Sequence, residues 1–225
     1  MNHPNPDDRT LIFDCDGVLV DSEAVVIEIE SALLTEAGFP ITTDEVAETC
    51  VGLNYADMMA LLAERFGKPV PEELNAQIQA DALAAFPSQL KPVPGIDQLL
   101  AENTLPRCVA SSSDLDRINL SLGLTDLDRH FTTETIFSSQ MVQRGKPAPD
   151  LFLHAAAKLS APPERCVVVE DSPHGVTAAI AAGMRVIGFV GGGHARPSLT
   201  SRLRAAGATE IADTAAELSA FLDKR

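Results

Sequence analysis

The chain has 225 residues and a mass of 23.9 kDa. At about 150 residues per domain, this fits one large domain or a core carrying a smaller insert. It holds 17 Lys and Arg against 32 Asp and Glu, a formal charge of −15, and so acidic a surface repels phosphate backbones and argues against nucleic acid as a partner.

The chain opens with MNHPNPDDR. That stretch lacks a basic region followed by an apolar one, so it does not read as a secretory signal. Residues 11–13, Leu-Ile-Phe, form the first predicted strand. From 21 to 90 no strand is evident. Val26, Ile29 and Leu33 recur at helical spacing, as do Met58, Leu61, Leu62 and Phe66, then Leu74, Ile78, Ala82 and Phe86. Thr42 and Glu45 have the spacing of a capping box and predict another helix start. The chain returns through the stiff Lys91-Pro92-Val93-Pro94-Gly95. Strands are then predicted at 108–110, 166–169 and 186–190, with short ones at 136–137 and 210–212. Helices are predicted at 113–122, 149–158, 173–182 and 199–206. Continuous apolar strands alternating with helices imply a doubly wound, Rossmann-like parallel sheet. The expected organisation is an α/β core of residues 1–20 and 91–225, with an inserted all-helical domain at 21–90.

The most apolar stretch, 177–190, is interrupted by Gly183, Arg185 and Gly188, so it is no clean membrane span. The four cysteines, Cys15, Cys50, Cys108 and Cys166, form no CxxC pair and read as buried free thiols. Together these features point to the cytoplasm. Charge is uneven: residues 21–90 carry 13 acidic and 2 basic side chains, and the remainder 19 and 15.

Four signals end predicted strands. Asp14-Cys15-Asp16-Gly17 follows the first one. Alternation along an extended segment turns Asp14 and Asp16 to one side and Cys15 to the other. In an open parallel sheet, ligands bind beyond the carboxyl ends of the strands. Ser111, Ser112 and Ser113 follow the strand at 108–110, where hydroxyls and helix-start amides can hold an anion or merely cap the helix. Lys146 sits between Gly145 and Pro147 before a helix. Glu170-Asp171 ends a strand expected to be buried, where charges need partners or a metal.

In this order and at these places, the signals resemble the haloacid dehalogenase superfamily. Asp14-Cys15-Asp16-Gly17-Val18-Leu19-Val20-Asp21-Ser22-Glu23 is similar to its first motif, Ser111 to the second, Lys146 to the third and Glu170-Asp171 to the fourth. The helical insert resembles the family's α-helical cap. The branch most similar contains sugar-phosphate phosphatases and β-phosphoglucomutase.

The resemblance implies that Asp14 is a nucleophile forming an aspartyl phosphate. With an ordinary carboxylate pKa it would be ionised without a base. Asp16 would be the general acid and then base, which calls for a raised pKa. Substrate phosphate and carboxylates together demand a cation, and Mg²⁺ is the hard ion expected beside phosphate. The family pattern gives it the Asp14 and Asp171 carboxylates and the Asp16 carbonyl, with Glu170 in or next to that set. Lys146 would bridge phosphate and nucleophile. Ser111 and the Ser112 amide would bind the transferring oxygens.

The expected activity is hydrolysis of a small phosphate monoester, from a sugar, polyol or sugar acid, by a monomer. The alternative is a mutase. The positions where β-phosphoglucomutases place a histidine and an arginine are Val26 and Tyr55 by ungapped spacing, and neither residue type is present. Arg65 and Lys68 are the only cations in 21–90, which disfavours a bisphosphate and a leaving group with a second anion. A dehalogenase would not need Asp16 or the Glu170-Asp171 pair. A binding module that had lost catalysis would lack at least one of Asp14, Asp16, Lys146 and Asp171. A nucleotide-dependent dehydrogenase would need GxGxxG after the first strand, which is absent. Gly191-Gly192-Gly193 reads as a flexible loop, Asp21 as hinge structure, Arg117 as solvated and His174 as an ordinary helix-start residue. His3, His130, His154 and His194 show no metal-ligand spacing. Residues near 52–55 are the expected contributors to substrate choice.

Overall fold

The structure is a computed structural model and describes residues 8–50 and 55–224. Strand β1 (Thr10–Phe13) is followed by four helices: α1 (Ser22–Glu36), α2 (Thr43–Thr49), α3 (Tyr55–Phe66) and α4 (Glu73–Gln89). Then come α5 (Ile96–Glu102), β2 (Arg107–Ser111), α6 (Leu115–Leu124), β3 (Ile136–Ser138), α7 (Asp150–Lys158) and β4 (Cys166–Glu170). The chain finishes with α8 (Pro173–Ala181), β5 (Arg185–Phe189), α9 (Pro197–Ala205), β6 (Glu210–Ala212) and α10 (Ala215–Leu222).

All six strands are parallel, in the order β3-β2-β1-β4-β5-β6. This is the doubly wound order, with the first strand central and neighbours added to either side. Ile12 lies opposite Cys108 of β2 and Val168 of β4. Both faces are buried, which is why the strands read as unbroken apolar runs. Leu11, Phe13, Val109 and Val169 pack with Ile96, Ile118 and Leu218, from α5, α6 and α10. Ile12, Cys108 and Val168 pack on the other face with Leu151, Val176 and Leu203, from α7, α8 and α9.

Helices α5 and α10 were not expected. At 7 and 8 residues they span about two turns each, too few for a helical period to stand out.

The helices between β1 and β2 have their own apolar cluster, including Leu34, Phe39, Val46, Leu62 and Ile78. Phe39 meets the Phe66 ring edge-on at 5.5 Å. The capping box opens α2: Glu45 N donates to Thr42 Oγ1 at 3.2 Å, and Thr42 N to Glu45 Oε2 at 2.9 Å. The chain leaves and re-enters the sheet layer along paired segments. Val93 N donates to Leu19 O, and Asp21 N to Lys91 O, each at 2.9 Å. Among the described residues no helix is long and apolar enough to cross a membrane. All four cysteines are buried and free.

Candidate active site

β1 ends where the ladder is still intact, because Asp14 N donates to Val169 O at 3.0 Å. Alternation then sends Cys15 into the core, 1% exposed, while Asp14 and Asp16 line a cavity of about 470 Å³. Gly17, at φ +76°, turns the chain away. A Cβ on it would lie 2.1 Å from Asp171 Oδ2, so the turn brings backbone against a carboxylate at a distance only glycine permits. The parallel register sets Ser111 on one side of Asp14 and Glu170-Asp171 on the other. Asp14, Asp16, Ser111, Ser112, Lys146, Glu170 and Asp171 all line this one cavity.

Lys146 enters from the segment after β3. Its Nζ donates to Asp14 Oδ1 at 2.7 Å and to Glu170 Oε1. Glu170 is wholly buried. Its other oxygen accepts from Ser172 N and Ser172 Oγ, both at 2.9 Å. A buried charge is tolerable only when so fully bonded. Ser111 is buried and accepts from Ser113 N at 3.1 Å, while Ser112 is exposed at the cavity mouth.

Burial pushes the Asp14 carboxyl well above its usual range. Lys146 opposes this, and Glu170, Asp171 and Asp16 add to it. The expectation of an ordinary pKa is therefore corrected: burial outweighs the one lysine, and the neighbouring carboxylates add to it. Asp16 goes the other way. Burial alone would raise it, but Arg117, with hydrogen bonds from Ser113 and Ser22, holds it below its usual range. Ser22 Oγ donates to Oδ1 at 2.5 Å and Ser113 Oγ to Oδ2 at 2.6 Å. The raised pKa expected for Asp16 is thus overturned by three donors that spacing alone did not single out. Nor is Arg117 simply solvated. Its Nη2 reaches Asp16 Oδ1 at 3.3 Å, with the side chain 15% exposed.

Asp14, Glu170 and Asp171 each offer an oxygen within 4.8 Å of the others, all three residues buried. Next to them lies His194, 1% exposed. Its Nε2 is 3.0 Å from Asp171 Oδ2, off the line of a hydrogen bond, so the contact is an ion pair when the ring is protonated. Burial lowers the His194 pKa, but Asp171, Glu23 and Asp21 outweigh it and raise it. His194 escaped notice because no neighbouring ligand residue marks it in sequence. The glycine loop expected to be flexible runs beside it and is held at one amide. Gly193 N donates to Asp21 Oδ1 at 2.8 Å, and a Cβ on Gly192 would lie 2.8 Å from His194 Nδ1.

The rest of the cavity wall comes from the helical insert: Glu23, Val26 and Glu30 of α1, with Cys50, Met58, Asn75 and Gln79. His174, in the first turn of α8, also lines it. Val26 supplies an apolar part of that wall. Residues 51–54, expected to influence substrate choice, lie outside the described residues, as do His3 and the Tyr55 side chain.

A carboxylate-bearing strand end, an anchored lysine and three clustered carboxylates thus lie under a helical roof on a doubly wound sheet. Residues 11–189 match the family model of haloacid dehalogenase-like hydrolases, and the chain belongs to that family. It is 30% identical over 190 residues to the 6-phosphogluconate phosphatase of Escherichia coli K12, covering 84% of this chain and 86% of the relative. It is also 30% identical over 181 residues to hexitol phosphatase B of the same organism, covering 78% and 81%. Among solved structures, a conserved haloacid dehalogenase-like protein of Agrobacterium tumefaciens C58 superposes with a TM-score of 0.90. The identity there is 38%, over 95% of this chain and 97% of that one.

Proposed function

We propose that the chain is a Mg²⁺-dependent phosphatase of small phosphate monoesters, working through an aspartyl phosphate on Asp14. The observation that carries this reading is the joint hold of Lys146 on Asp14 and Glu170 at the buried end of a cavity that Asp16 also lines. Phosphatases among the relatives support the reaction class.

The donor set fits a hard divalent ion. Three carboxylates meet, and neither a thiolate nor an imidazole is among them. The Asp14 and Asp171 carboxylates and the Asp16 carbonyl would hold Mg²⁺, with Glu170 adjoining. When bound, the ion supplies charge neutralisation for the phosphoryl oxygens.

The chain's own residues account for the remaining chemistry. Asp14 attacks phosphorus, and the bond from phosphorus to the leaving oxygen breaks. Asp16 delivers a proton to that oxygen. The Asp16 carboxylate then takes a proton from the water that attacks the aspartyl phosphate, and inorganic phosphate leaves with Asp14 restored. Lys146 keeps Asp14 oriented and offsets charge. Ser111 and the Ser112 amide donate to the transferring oxygens.

Asp16 is held ionised in this arrangement, so it must take up a proton or lose its Arg117 contact before donating. Residues 21–90 act as a cap domain over the core of 1–20 and 91–225, and its closure excludes bulk water. Hydrolysis is favoured over phosphoryl transfer between sugar hydroxyls by Val26, which offers no base to a second hydroxyl. The four free thiols agree with a cytoplasmic setting. We read the working unit as a monomer.

The test is phosphate release from sugar, polyol and sugar-acid phosphates, with Mg²⁺, with chelator, and with Asp14→Asn. Release that needs Mg²⁺ and vanishes in the variant is expected. Release that persists in Asp14→Asn would remove the aspartyl phosphate from the reaction.

A further inference from the structure

The helical insert leaves the core after β1, and core side chains hold it on both sides of that strand. On the β2 side, Arg117 of α6 donates to Gln79 of α4. On the β5 side, Arg196, the residue before α9, reaches Asp44 in the first turn of α2. β2 and β5 lie on opposite sides of β1 in the sheet, so the two contacts flank the place where the insert is attached. The same elements wall the cavity. Gln79 and Arg117 line it, and so do Cys50, at the C-terminal end of α2, and Leu199 of α9.

The contact on the β5 side is an ion pair. Arg196 Nε and Nη2 donate to Asp44 Oδ1 at 3.2 and 2.9 Å. Asp44 is 83% exposed, and exposed pairs usually contribute little, because side chains must be ordered to form them. Here one partner is ordered already. Arg196 Nη1 donates to Gly193 O at 3.2 Å and to Ala195 O at 3.1 Å, and Gly193 N is bonded in turn to Asp21, where the insert begins. The core thus fixes the guanidinium before the carboxylate arrives, which cuts the ordering cost. Asp44 takes no part in the capping box of α2, which belongs to Thr42 and Glu45.

We propose that Arg196 and Asp44 form an ionic latch that holds the insert down on the core between α2 and α9, and that its release opens the cavity on that side. This rests on the reading of residues 21–90 as a cap that moves. Closed and open states of such a cap differ by only a few kcal/mol, so a contact of modest strength shifts their balance. Release responds to ionic strength, since salt screens exposed charges. The Arg117–Gln79 bond ends on a neutral amide and responds far less.

Cys50 supplies the readout. It is 4% exposed and lines the cavity, so it becomes reachable when α2 parts from α9. Cys15, Cys108 and Cys166 are packed in the clusters around the sheet and report loosening of the core. The experiment measures how fast N-ethylmaleimide, an uncharged reagent, modifies each thiol of the folded protein, with peptide mass spectrometry to separate the four. Wild type is compared with Asp44→Asn, Arg196→Gln and the double variant. Each single variant should raise the Cys50 rate roughly two- to fivefold, the range of an exposed pair, and leave the other three rates unchanged. The double variant should add little to either single one, because the two residues act through one contact. High salt should raise the wild-type rate and leave that of Asp44→Asn nearly constant. A Cys50 rate unchanged in both single variants overturns the latch. So does a double variant in which the two effects multiply, since Asp44 would then only steady α2 and Arg196 only its own loop. Faster modification of all four thiols overturns it as well, as loosening of the whole fold. The assay needs no turnover, so failure of the latch is told apart from failure of the phosphatase reading, which phosphate release tests.

Discussion

Arg117 Nη2 lies 3.3 Å from Asp16 Oδ1, while Nη1 of the same guanidinium donates to Gln79 Oε1 of α4 at 2.9 Å. Its plane also approaches the Phe86 ring of α4, at 5.3 Å. One side chain on the core thus ties the proposed proton donor to the helical insert. Movement of α4 away from the sheet pulls on the group that keeps Asp16 ionised.

Replacing Arg117 with Gln removes the positive charge and leaves the Ser22 and Ser113 donors. The Asp16 pKa, now held down, should rise by about 1 unit or more, the usual effect of losing an adjacent opposite charge. A proton donor loses activity as pH climbs through its pKa in the free enzyme. The alkaline limb of the kcat/KM profile should therefore move to higher pH in Arg117→Gln. A limb that stays in place would show that Asp16 is not the group titrating there.

Gly175 presents a sharper steric test. A Cβ there would lie 1.8 Å from Glu170 Oε1. Glu170 cannot swing aside, because Lys146 and Ser172 hold both of its oxygens. Ala would favour the α8 helix by up to about 1 kcal/mol, but displacing a buried charge from its partners costs about 3 kcal/mol or more. Gly175→Ala should unfold at lower temperature. It should also lose roughly two orders of magnitude in kcat, the scale of an ångström's misplacement in an active site. Wild-type kcat in this variant would mean that the Lys146–Glu170 geometry is not needed for turnover.

His194 is predicted to act through Asp171. Partners behind a metal ligand typically contribute about 10- to 100-fold in affinity. His194→Gln should weaken Mg²⁺ binding by that order in isothermal titration calorimetry, with no substrate present. An unchanged dissociation constant would reduce His194 to a space-filling role in the Gly17–Gly192 gap.

The strands and the loop chemistry after them were legible in sequence because burial on both faces writes continuous apolar runs. Asp14 and Glu170 stand at the ends of such runs, and Lys146 in the Pro-containing segment before α7. Ser22, Ser113 and Arg117 were harder to read as a group. Asp16 draws them from the start of α1, the turn after β2 and α6, and no local pattern records a convergence across the sheet. His194 was hidden for the same reason, since its contact with Asp171 spans β5 and the glycine loop. The charge asymmetry of the insert was visible in sequence, but not that Glu30 turns inward while Arg65 pairs with Glu45 and Lys68 sits over the Phe39 ring. That distinction needs the helix faces, which packing decides.

Glu30 gives the last prediction, in stability rather than turnover. Burial, reinforced by Glu23, pushes its pKa from the ordinary 4.5 up to about 7. The Cys50 thiol is also nearby and is raised in pKa chiefly by its own burial. Between those two pH values the folded chain binds more protons at Glu30 than the unfolded chain does. Stability must therefore fall as pH rises through this window and level off above about 7. A shift of this size corresponds to about 3 kcal/mol, with Glu23, also raised to about 7, acting in the same direction. Glu30→Gln removes the Glu30 contribution and leaves every other titration common to both proteins. Urea unfolding at pH 5 should give similar free energies for the two. At pH 8 the variant should be more stable by roughly 1 to 3 kcal/mol. Parallel profiles at the two pH values would mean that Glu30 is already satisfied as a carboxylate.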